Sequence, residues 1–93
     1  MSSELEAVER FGLVCLAVWN MMDEESLSLE DALKAVRQMM RPHSKPRDVA
    51  EGMKRLAGAA DEGELLKLLD AEATRMSRIV EASRMTWPTS LFP

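Results

Sequence analysis

Residues 11–22 read Phe-Gly-Leu-Val-Cys-Leu-Ala-Val-Trp-Asn-Met-Met, a run whose one polar side chain is Asn20. On a helix expected over residues 3–22, Leu5, Val8, Gly12, Cys15, Trp19 and Met22 recur at spacings of three and four and share one face. Phe11, Val14, Val18 and Met21 form a second stripe on a different face. A helix of a small bundle normally shows its core a stripe little more than ~100° wide. This helix is too apolar to be covered by one short hairpin. Either the rest of the chain wraps it or a second molecule does. The first stripe is expected to face the protein's own core. Phe11, Val14, Val18, Trp19 and Met21 are the candidate protein-binding residues, with cover by a neighbouring helix as the alternative.

The same run is about half the ~20 residues needed to cross a bilayer, and acidic residues flank it on both sides, so no membrane anchor is expected. The amino terminus is acidic where a secretory signal would be basic, and the lone Cys15 has no disulfide partner. A reducing, cytoplasmic setting is the expectation. With 93 residues there is room for one core. Tyr is absent and aromatics make up 4% of the chain, so that core must be built from Leu, Ala, Val and Met. Few residues are β-branched and no stretch alternates strictly, which removes the usual support for strands.

Chain breaks divide the remainder into three more helices. Ser28 followed three residues later by Asp31 marks an amino-terminal cap, after which Leu29, Leu33, Val36 and Met40 form a stripe that Pro42 ends. Two prolines within residues 42–46 make a turn, and a third helix starts at Ser44 or Pro46 with Val49, Met53, Leu56 and Ala60 as its apolar positions. Gly52 and Gly58 weaken it by roughly 1 kcal/mol each relative to Ala. Asp61 and Glu64 repeat the cap pattern and open a fourth helix over residues 62–84, with rows Leu66, Ala73, Val80 and Leu69, Met76, Ser83. Trp87-Pro88 is expected to end helical order. The fold class is therefore all-α: a compact four-helix bundle-like domain over residues 1–85 with a short extended tail over 86–93.

Charge is partitioned along the chain. Residues 1–31 carry eight acidic groups against Arg10, net −7, while residues 32–58 carry seven basic groups against Asp48 and Glu51, net +5. The other residues are net −2, and the whole is −4. Lys34, Arg37 and Arg41 fall at spacings of three and four, and Lys45 and Arg47 follow in the turn. This basic stripe is a solvated face, a contact for an acidic protein, or a contact for nucleic acid, the last disfavoured by a sequence pI near 5.0. Seven methionines besides Met1 fill core gaps or line an adaptable groove. In the tail, Trp87, Leu91 and Phe92 are spaced as a docking peptide would be, or fold back on the chain.

Residues 64–72, Glu-Leu-Leu-Lys-Leu-Leu-Asp-Ala-Glu, are similar to the docking segment at polyketide synthase carboxy termini, which implies an acidic amphipathic helix suited to meeting a partner. Glu25-Ser-Leu is similar to the Asp-Ser-Leu attachment site of acyl carrier proteins, but Glu replaces Asp and the apolar pattern departs after Leu27.

His43 is the only histidine, so no His pair or His-carboxylate triad can form, and the glycines are too scattered for a phosphate loop. No catalytic, cofactor or metal residues are assigned and no enzyme is expected. The expected function is a non-catalytic adaptor, regulator or chaperone-like module that binds another protein, as a homodimer. The alternative is a small DNA-associated regulator using Lys34, Arg37, Arg41, Lys45 and Arg47.

Overall fold

In the computed structural model the backbone is described over residues 2–91 and the side chains over residues 4–83. The chain forms a bundle of four helices: α1 (Ser2–Glu25), α2 (Leu29–Met39), α3 (Arg47–Ala57) and α4 (Glu62–Leu91), with one 3-10 turn at Arg41–His43. The molecule measures 51 × 22 × 19 Å. Its long axis follows α4, whose 30 residues span about 45 Å at 1.5 Å per residue.

Local chemistry sets the breaks. Ser26 ends α1 in the left-handed region (φ 53°), which a short polar side chain tolerates better than a branched one. The Ser28 hydroxyl accepts the Asp31 N–H at 3.2 Å and caps α2. Asp61 accepts the Glu64 N–H at 2.8 Å while Glu64 reaches back to the Ala60 N–H at 2.7 Å, a reciprocal cap on α4. Both caps stand where the residue pattern places them. Pro42 lies inside the 3-10 turn, and α3 begins at Arg47 with Pro46 as its cap residue. That helix closes at Ala57, short of Ala60, where the Gly58 N–H donates to the Arg55 carbonyl and the Ala59 N–H to the Leu56 carbonyl, both at 3.1 Å, in a tightened last turn.

The central helix is α1, which packs most extensively on α4 and also touches α2 and α3. Ala7, Val8, Phe11, Val14, Cys15, Val18 and Met22 are buried, so both predicted stripes face the interior. Short α2 and α3 lie side by side over the second stripe and contribute Ala32, Val36, Met40, Val49 and Leu56 to the core. From α4 the core takes Leu65, which broadens the expected face, with Leu69, Ala73, Met76 and Val80 of the two expected rows; Leu66 is only half-buried and Ser83 is exposed.

Two glycines mark close approaches. A Cβ on Gly12 would lie 3.3 Å from Met76 Cβ, where α1 meets α4. On Gly52 it would fall into the Phe11 ring and within 2.8 Å of Glu72 Oε1. Gly52 is thus where α3 makes room for the largest buried side chain of α1.

The end of α4 corrects one expectation. Its backbone stays helical through Leu91 instead of becoming an extended tail at residue 86. Proline inside a helix removes one N–H donor and clashes one turn back, which can bend a helix without ending it.

Candidate functional site

The protein-binding residues expected on the outside of α1 are mostly inside. Phe11 and Val18 are fully buried and Val14 nearly so, beneath the chain's own helices. Trp19 and Met21 are half-buried, with Trp19 packed against the core. The expectation that Phe11, Val14 and Val18 meet a second molecule is therefore corrected: α2, α3 and α4 together wrap more of α1 than one hairpin partner could.

What remains outside is a third face. Leu13 is 68% exposed and Leu16 47%, with exposed Ala17 beside them and Met39 of α2 across a groove. Leu13 and Ala17 continue the wet row Glu6, Arg10, Leu13, Ala17, Asn20 and Glu24, spaced by three and four. That row was the available signal. The polar members on either side of the apolar run mark the solvent face, and Leu13 belongs to neither stripe.

Two grooves flank this ridge. One, about 460 Å³, lies between α1 and α2, lined by Leu13, Val14, Ala17, Met39 and His43 with Glu6, Glu9 and Arg10 at one end. The other, about 260 Å³, lies between α1 and α4 over Gly12, Ala73, Met76 and Ser77, with Leu13 and Leu16 as its near wall.

The basic stripe is divided. Lys34, Arg37 and Arg41 all line one groove of about 400 Å³ between α2 and α3, together with Gln38, Ser44 and Met53. Arg47 is not part of it: it pairs with Glu51 at 3.2 Å on the exposed side of α3. Lys45 is exposed in the turn and outside the groove. For the tail, the side chains of Trp87 and Leu91, and Phe92 altogether, lie outside the described residues.

One constellation has no counterpart in the sequence reading. Glu72 of α4 is 3% exposed, and its carboxylate accepts from Arg55 Nε at 2.7 Å, Arg55 Nη2 at 3.2 Å and Arg75 Nη2 at 2.9 Å. Arg55 comes from α3, so the carboxylate ties α3 to α4. Its three donors are charge-assisted, and two come from one guanidinium fork. Nearby, burial first and the Glu72 charge second push the Cys15 thiol up to about 12. At neutral pH Cys15 is a protonated, buried apolar group, and Glu72 is committed to two guanidiniums. The only local hint was the spacing of Glu72 and Arg75 within α4.

Among the described residues, no helix is long and apolar enough to cross a membrane. Compared with family models, curated proteins and solved structures, the chain matches none of them.

Proposed function

We propose that the protein is a non-catalytic interaction module that binds through the exposed ridge of α1, and that its partner there is a second copy of the chain. The observation that carries this reading is the exposure of Leu13 and Leu16 in the middle of the most apolar helix. Burying a leucine side chain is worth about 1.5–3 kcal/mol, so two of them left in water on one turn are a standing drive toward association. A two-fold contact needs one patch that is complementary to itself. Here a projecting pair, Leu13 and Leu16, stands beside a shallow cleft over Gly12, Ala73 and Ser77.

Size-exclusion chromatography with light scattering tests the reading. The expected result is a dimer whose mass falls to that of the monomer in Leu13→Glu with the helical spectrum intact. A strict monomer at high protein concentration overturns the dimer.

A further inference from the structure

We propose that the groove between α2 and α3 is a second, separate docking site, and that its occupant is an acidic amphipathic helix of another protein. The groove has two unlike walls. Lys34 and Arg37 of α2 and Arg41 of the 3-10 turn that follows it stand at spacings of three and four, all exposed and all lining the groove. Among the described residues, none of the three is held in an ion pair or side-chain hydrogen bond. Opposite them, half-buried Met53 of α3 supplies the groove's apolar lining.

A helix laid along this groove with carboxylates toward the cations and an apolar side chain toward Met53 satisfies both at once. The cations recur at helical spacing, so carboxylates that also recur at three and four meet them in register. Met53 adds an adaptable thioether surface for the apolar side chains.

Other anions fit less well. From Lys34 to Arg41 the stripe covers about 10 Å of helix axis, and residues 1–31 carry a net charge of −7. Duplex DNA extends far beyond so short a patch and meets repulsion from the rest of the molecule. A free phosphate is bound best by convergent, fixed donors, often backbone N–H groups at a helix start. The cations here are exposed, flexible side chains along a helix flank.

The test uses the full chain and three fluorescein-labelled probes in anisotropy titrations at low and at physiological salt. The probes are a synthetic helical peptide with Glu on one face and Leu and Ala on the other, the same peptide with Gln for Glu, and a short DNA duplex. The Glu peptide is expected to bind at low salt and to weaken as salt rises, with the Gln peptide much weaker. Reversing two exposed charges, Arg37→Glu with Arg41→Glu, is expected to lower the affinity roughly tenfold or more, since each reversal removes one attraction and adds one repulsion. Circular dichroism checks that this variant remains helical, and Leu13→Glu should bind the Glu peptide as the parent does. The proposal is overturned if the Glu peptide fails to bind at low salt, if its binding survives the double reversal, if the Gln peptide binds equally well, or if duplex DNA binds more tightly than the peptide.

Discussion

At Gly52 and Cys15 the environment reverses or silences what the residue type suggests. A glycine inside a helix reads as a weak point, and Ala there should add about 1 kcal/mol. At Gly52 the opposite is expected, because the new methyl would enter the Phe11 ring and press on Glu72 Oε1. Gly52→Ala should lower the unfolding free energy by about 1–3 kcal/mol. Gly58→Ala, whose added Cβ comes no closer than 3.4 Å to any atom, should change it little. Urea unfolding of the two variants side by side decides the matter, and a stabilised Gly52→Ala would refute the close packing. Cys15 makes a prediction with a definite sign. Its thiol titrates near 9.0 in an unfolded chain and is pushed up to about 12 in the folded one. Below pH 9 both states keep the proton and the group is silent. Above pH 9 the unfolded state alone releases it, so stability falls as pH climbs toward 12, at about 1.4 kcal/mol per pH unit. Cys15→Ala should remove that component, so its stability relative to the parent improves by about 1.4 kcal/mol between pH 7 and pH 10. Equal pH profiles for the two proteins would contradict the burial of the thiol.

Individual helices were readable wherever their signals lie within a few residues of one another. Ser28 with Asp31 and Asp61 with Glu64 place two helix starts because a cap involves a side chain and an N–H three residues apart. The prolines at 42 and 46 place the turn between α2 and α3 for the same local reason. Contacts between helices were not readable. The Leu29 N–H at the start of α2 donates to Glu62 Oε2 at 3.2 Å, across 33 residues of chain, so the first turn of α4 helps to cap α2. Glu62→Ala should cost about 0.5–1 kcal/mol and speed amide exchange at Leu29, leaving the Ser28 cap in place. Unchanged exchange at Leu29 would show that the cross-cap adds nothing. The Glu72 clamp between α3 and α4 was equally hidden, since sixteen acidic residues in the sequence give no sign of which one is buried.

For the whole molecule, the segregation of charge became a pair of distinct surfaces. Acidic groups border the apolar ridge of α1, and three cations line the groove between α2 and α3. Chain order determined that much, because a run of like charge stays together on whatever short helix carries it. Helical class, the number of helices, two of their caps and the excess apolar surface of α1 were likewise properties of the sequence alone, as each depends on neighbours within about one turn. Tertiary structure alone decided which part of α1 is wet. Phe11, Val14 and Val18 form as good a stripe as any other, and only the placement of α2 and α3 across them puts Leu13 and Leu16 outside. On a helix that is apolar nearly all round, periodicity no longer identifies the buried side; the positions of the surrounding helices do.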